Sequence, residues 1–189
     1  IACKGLLLSL FQQKEIQMAS LFARQLHKLE DYPTVIRWVG DREFEEAWAI
    51  CPGGEWMISL AEKLEVDSRL FVQIACRCAR LVLPWVPEGE ERPRKAIEAA
   101  EGYLEGKVSV EEVQDASAAA MKFAASNNTF VLAAVWAART SLDLTWAANC
   151  ATRIVQFFDG NREIRSQTLS IIREVLTQPV REKLAALKV

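Results

Sequence analysis

The sequence predicts an all-α protein of nine to ten short-to-medium helices, arranged as a compact orthogonal array or a short stack of helix pairs. Apolar residues recur at helical spacing along most of the 189 residues, whereas no segment shows the strict alternation of a strand. Turn signals such as Cys51-Pro52-Gly53-Gly54 separate these segments by short connections, which make neighbouring helices antiparallel. With 51% hydrophobic residues, the chain can bury a substantial core.

In the first half of the chain, breaks that contain proline, glycine or a capping residue separate the helices. Asp31-Tyr32-Pro33 and Gly40 are such breaks, and we expect Asp41 to cap the next helix. Asp67 has the same role before a helix with a wide apolar stripe, which we predict to be the central helix of the core. The predicted helices are 6–29, 33–39, 42–50, 55–64 and 68–83.

The second half is also helical, and its boundaries follow from proline, glycine and capping residues. Pro93 fits the first turn of a helix at 92–105, and Ser109 and Glu112 form a capping box. We expect Asn127-Asn128 to divide the alanine-rich segment 110–151 into two helices. The final predicted helices are 162–176, after the turn Asp159-Gly160-Asn161, and a short one that begins at Pro179.

Composition argues against membrane and nucleic-acid partners. The apolar stretch at residues 1–11 is shorter than the ~20 residues that a membrane span needs, and no small-residue cleavage site follows it. The net charge of −2 gives no global basic field for a nucleic-acid backbone. Binding of nucleic acid through the basic C-terminal segment 152–189 is therefore the weaker hypothesis. The sequence therefore predicts neither a membrane span nor a nucleic-acid partner.

The sequence predicts no catalytic, cofactor or metal site. His27 is the only histidine, and we expect it at the surface or the core boundary. The five cysteines are irregularly spaced, and Cys76 and Cys78 lie too far apart around a helix to bind one metal easily. We expect free thiols that are buried or half-buried. Gly53-Gly54 is interpreted as a tight turn rather than an anion site.

Uneven charge and a loop tryptophan indicate a protein-binding surface. Residues 88–115 contain nine acids and four bases, an acidic segment that can steer a basic partner. Trp85 lies between Pro84 and Pro87, where it is either an interface anchor or folded over the core, whereas Trp56, Trp136 and Trp146 have core spacing. The candidate partner-binding residues are Trp85, Glu88, Glu90, Glu91 and Arg92.

The central segment also carries a recognisable motif, in three parts: Cys78-Ala79-Arg80-Leu81-Val82-Leu83-Pro84, then Arg92 to Glu101, then Gly106-Lys107-Val108-Ser109. Over about residues 51–150 the chain resembles a family of bacterial helical immunity proteins of polymorphic-toxin systems. The resemblance implies a cytoplasmic, all-α, non-enzymatic protein that blocks a cognate toxin by binding it. Independently of the family, the motif predicts a helix–loop–helix corner in which Arg92 and Arg94 pair with Glu88, Glu90 or Glu55.

Together these observations predict a single all-α domain. It consists of N-terminal helices at 1–40, a family-like core at 41–151 and C-terminal helices at 152–189. The leading hypothesis is a binding protein that neutralises a toxin. The alternative is a self-associating scaffold or interaction protein without a toxin, in which the alanine-rich helices pack against a second copy as a homodimer.

Overall fold

A computed structural model confirms the all-α fold class. It describes residues 20–29, 33–124, 131–144, 147–158 and 160–187, and all ten of their longer elements are α-helices. In chain order these are α1 (Leu21–Lys28), α2 (Pro33–Val39), α3 (Phe44–Ile50), α4 (Gly54–Lys63), α5 (Ser68–Arg80), α6 (Arg92–Leu104), α7 (Val110–Ala124), α8 (Val131–Leu142), α9 (Ala147–Phe157) and α10 (Arg162–Ala186). A 3₁₀ turn, Leu83–Trp85, follows α5.

The chain divides into two compact units, Ile1–Cys51 with Arg181–Val189, and Pro52–Val180. In the first unit, aromatic side chains from α1 and α3 form the core. The ring of Phe22 meets that of Phe44 edge-on at 5.4 Å between centroids, and Phe44 lies 5.3 Å from Trp48. The Ser20 hydroxyl accepts a hydrogen bond from the amide of Ala23 and donates one to the carbonyl of Arg42. The Ser20 cap and the packing of the aromatic rings therefore both fix the position of α1.

The same unit includes the end of α10, which polar contacts hold in place. The buried side-chain amide of Gln25 donates to the carbonyl of Leu184 at 2.8 Å. Arg181 donates two hydrogen bonds to the carboxylate of Glu45, at 2.6 and 2.9 Å. This guanidinium lowers the pKa of Glu45.

In the second unit α8 occupies the centre, where it packs against α5, α6, α7 and α9. The central position was predicted for 68–83, and α5 packs closely against α6, α8 and α9, whereas α8 packs closely against α7 as well. The physical reason lies in the side chains of α8, where four buried alanines allow close approach on several sides: Ala133, Ala134, Ala137 and Ala138. An amphipathic stripe such as that of α5 indicates a helix with one solvent-facing side.

Gly54, at the start of α4, is required for close packing. A Cβ atom there would lie 2.8 Å from Cγ1 of Val155 and 2.9 Å from Cδ1 of Ile172. Since real Cβ contacts are almost never this short, the glycine allows α4 to approach α9 and α10 directly. Where a tight turn was expected at Gly53-Gly54, the structure therefore has the start of a helix, with Gly53 as the N-cap and Gly54 as the buried first residue.

The predicted final helix is wrong, because α10 runs without a break from Arg162 to Ala186 and contains Pro179. Proline removes one backbone donor and normally kinks or ends a helix. Here every fourth residue continues one buried stripe through the proline: Ile172, Leu176, Val180 and Leu184. Burial of this stripe stabilises the helix by more than the missing hydrogen bond costs.

Several predicted helix ends are confirmed and others move. The Asp67 side chain caps α5 by accepting from the amide of Arg69, and Ser109 and Glu112 form the predicted capping box. The N-cap of α3, however, is Glu43 rather than Asp41. The helix predicted at 68–83 ends at Arg80, and the 3₁₀ turn begins three residues later, at Leu83.

The alanine-rich segment forms one more helix than expected. Where two helices were predicted in 110–151, the structure has α7, α8 and the start of α9. The proposed break at Asn127-Asn128 lies outside the described residues, as do Cys3 and Trp146. Trp56 is buried as predicted, whereas Trp136 is half-buried. None of the described helices is long and apolar enough to span a membrane.

The close approach at Gly54 predicts that Gly54→Ala lowers the free energy of unfolding by about 1–3 kcal/mol, because the new methyl group displaces Val155 and Ile172. Gly160→Ala is the matched control, since its Cβ would meet no atom within 4 Å. Urea denaturation of both variants measures the difference. Equal stability of the two variants would contradict the packing role of Gly54.

Candidate functional site

The predicted corner between α5 and α6 is an ordered loop. Its backbone forms successive short turns, in which the amide of Trp85 donates to the carbonyl of Val82 and that of Glu90 to the carbonyl of Pro87, both at 3.1 Å. Gly89 has φ of +82°, a conformation that strongly favours glycine. These turns fix the path of the chain between the two helices.

Trp85 lies at the surface of this corner, with 49% of the residue exposed. By comparison, Trp48 is 2% and Trp56 is 7% exposed. The sequence leaves open whether Trp85 anchors an interface or folds over the core, and in the structure about half of the residue is exposed. A large aromatic surface in contact with water is the kind of residue that contributes strongly to protein interfaces.

Glu90 and Arg92, two of the predicted binding residues, bind each other. The guanidinium Nε of Arg92 donates to Oε1 of Glu90 at 2.7 Å, and its Nη2 pairs with Oε2. The same carboxylate accepts from the amide of Arg92 at the start of α6, at 3.0 Å. These hydrogen bonds lower the pKa of Glu90 to about 2. The pair is thus a local clamp that fixes the end of the corner.

Arg92 also attaches the corner to α7. Its guanidinium carbon lies 4.8 Å from the centroid of the Phe123 ring, within the range of a cation–π interaction. The predicted pairing of Arg92 with Glu90 is confirmed, whereas Arg94 lies 3.5 Å from Glu91 rather than beside Glu55 or Glu88. Glu88 and Glu91 are exposed on the corner, and both follow Trp85 closely in the sequence.

The acidic segment 88–115 keeps an excess of exposed negative charge. Three of its four bases are paired with its own acids: Arg92 with Glu90, Arg94 with Glu91 and Lys107 with Glu105. The fourth base is Lys95. One further acid, Glu101, pairs with Arg80 of α5, outside the segment. The other acids of the segment are all exposed, namely Glu88, Glu98, Glu111, Glu112 and Asp115. The surface therefore stays negative after internal pairing.

A second ion pair joins the two helices of the corner, and sequence reasoning missed it. Arg80 donates to both carboxylate oxygens of Glu101, at 2.9 and 2.5 Å. Both side chains are about two-thirds buried. The partners are 21 residues apart, so no local spacing could have indicated the contact. The only available signal was that both residues belong to the motif that carries the family resemblance.

Residues 62–142 match the model of a family described as Imm-5 like putative immunity protein. The match confirms the immunity-protein resemblance and includes α5, the corner, α6, α7 and α8. Arg80, Glu101 and the clamp of Glu90 and Arg92 all lie inside it. Among curated proteins and solved structures, nothing matches the chain significantly.

The residues that the sequence offers for catalysis or metal binding are His27 and the cysteines. His27 is exposed, as expected. Among the described residues, no three histidine, cysteine or acidic side chains are close enough together to bind a metal ion. The four described cysteines are buried, in agreement with the expected burial. Burial raises the pKa of Cys76 and Cys78 to about 12, which leaves their thiols protonated and unreactive.

The Glu90–Arg92 clamp predicts a specific dependence of stability on pH. Since Arg92 holds the pKa of Glu90 near 2 in the folded state, the clamp stabilises the protein fully above the ordinary pKa of 4.5. This contribution is lost as the pH falls from about 5 towards 2. We expect Glu90→Gln to be less stable than wild type at pH 7, with the difference shrinking over that range.

Denaturation at a series of pH values measures this effect. Glu88→Gln is the control, because Glu88 lies in the same loop, is exposed and makes no ion pair with any described residue. A constant difference between Glu90→Gln and wild type from pH 7 to pH 2 would rule out the clamp as its source.

Proposed function

We propose that this chain is a non-enzymatic, protein-binding immunity protein that neutralises a cognate toxin by direct binding. The observation that carries the proposal is the match of residues 62–142 to the Imm-5 like family. The exposed corner lies within the matched segment, so the part of the chain that resembles immunity proteins also presents a plausible contact surface. Its irregularly spaced, buried cysteines are in keeping with a reducing cytoplasm as its location.

Trp85 is the proposed centre of the contact. The turn hydrogen bonds and the Glu90–Arg92 clamp order the loop before a partner arrives. Binding to an ordered loop loses less conformational entropy than binding to a flexible one. Tryptophans that become buried at the centre of an interface are frequent hot spots, and their truncation costs 2 kcal/mol or more.

The partner fits best if its contact surface is basic. Glu88 and Glu91 lie on the corner, and further exposed acids follow on α6 and α7, including Glu98, Glu111 and Asp115. Such a surface accelerates association with a basic protein and disfavours acidic ones. Glu90 and Arg92 contribute by holding the loop, while Trp85, Glu88 and Glu91 contact the partner.

A self-associating scaffold is the second candidate, and one observation favours it. On α7, Val110 and Met121 are each 37% exposed, and they lie on the same side of the helix because they are 11 residues apart. Two copies of α7 could bury these side chains against each other in a homodimer. This candidate predicts a dimer with no other partner.

Co-expression with neighbouring genes of the source genome, followed by affinity capture and titration calorimetry, tests the leading proposal. We expect Trp85→Ala to weaken binding of the captured toxin by about 2 kcal/mol or more, roughly thirtyfold. Ile50→Ala is the matched control, since Ile50 is an apolar residue of similar exposure, at 54%, in the other compact unit.

We expect Glu88→Arg to slow association mainly at low salt, because it reverses one exposed charge on the corner. If no neighbouring gene product binds and sedimentation gives a dimer, the scaffold replaces the immunity function. If a toxin binds equally well to Trp85→Ala and wild type, the corner is not its contact surface.

A further inference from the structure

A cleft of about 400 Å³ lies between α5 and α6, separate from the exposed Trp85. Its apolar lining includes Leu70 and Leu104, both half-buried, and the buried Cys76. Arg69 and Gln73, both exposed, line the α5 side. Ligand pockets of ~300–1,000 Å³ are common, and such pockets combine an apolar lining with a few polar groups.

Most charges that line this cleft are already neutralised by neighbours. Arg77 pairs with Glu174 of α10 at 2.5 Å. Glu101 pairs with Arg80, and Glu105 pairs with Lys107 at 2.6 Å. These pairs leave the acids of the cleft without an excess of negative charge. They also fix the side chains that form its walls.

Arg69 is the exception, because its guanidinium makes no ion pair with a described residue. It lies in the first turn of α5, which contains no acidic residue. A positive side chain is unfavourable there, since the helix dipole places positive charge at the same end. Asp67 accepts a hydrogen bond from the backbone amide of Arg69, so the Asp67 carboxylate serves as the helix cap. A local preference that is violated in this way often indicates function.

We propose that this cleft binds a small carboxylate with an apolar body. The apolar body packs on Leu70 and Leu104, and the carboxylate accepts hydrogen bonds from the guanidinium of Arg69 and the side-chain amide of Gln73. A volume near the lower end of the usual range fits a single ring with a short chain. This site is independent of the toxin-binding function and requires no protein partner.

The test uses the full chain and two probes of the same shape, 3-phenylpropionate and its neutral amide, 3-phenylpropanamide. Amide ¹H–¹⁵N spectra follow each titration. We expect saturable shifts concentrated in residues 69–77 and 101–105, with roughly twofold to fivefold tighter binding of the carboxylate, as a solvent-exposed ion pair provides. Arg69→Gln should abolish this preference while retaining weak binding of both probes.

Two further variants keep the result interpretable. Gln73→Trp should fill the cleft and remove binding of both probes. Arg94→Gln, an exposed arginine of α6 that does not line the cleft, should leave the preference unchanged. Shifts that do not saturate, equal affinity for the two probes, or an unchanged preference in Arg69→Gln would each overturn the proposal.

Discussion

The ion pair between Arg80 and Glu101 is the constraint on which the arrangement of α5 and α6 depends. It joins the end of α5 to the later turns of α6 with two hydrogen bonds from one guanidinium. Because each side chain is still about one-third exposed, the pair contributes on the order of 1 kcal/mol at most, which is the upper end of the range for surface salt bridges. Its larger effect is geometric, since it fixes the two helices that carry both the corner and the cleft.

The ion-paired residues of the motif therefore stabilise the structure, whereas the exposed residues around it are those that we propose for recognition. Arg80, Glu101, Glu90 and Arg92 bind one another within the segment that matches the immunity family. Trp85 lies between Arg80 and Glu90 in the chain and is about half exposed. A rigid frame that presents one large aromatic residue is a suitable arrangement for tight binding, because the loop is already ordered.

The sequence predicts features of this fold that depend on neighbours along the chain. Helix class, the Asp67 cap and the capping box at Ser109 follow from local hydrogen bonding, and all were predicted correctly. Features set by distant contacts were missed. Pro179 does not end α10, because a buried apolar stripe continues past it, and α8 is central because its alanines accommodate several neighbours.

The same distinction applies to the candidate site. The sequence left two positions open for Trp85, at an interface or over the core, and several acidic partners open for Arg92. Both choices depend on contacts within a short loop, which only the structure gives. The Arg80–Glu101 pair and the cleft between α5 and α6 require the folded arrangement of two helices. No spacing rule in a single sequence provides that information.

The most direct measurement is hydrogen–deuterium exchange of the full chain, alone and in complex with a toxin captured from the neighbouring genes. The account predicts slower exchange on binding in peptides that cover residues 81–92, with smaller changes on the exposed sides of α6 and α7. Protection confined to residues 20–51 or 160–187, with no change at the corner, would contradict it.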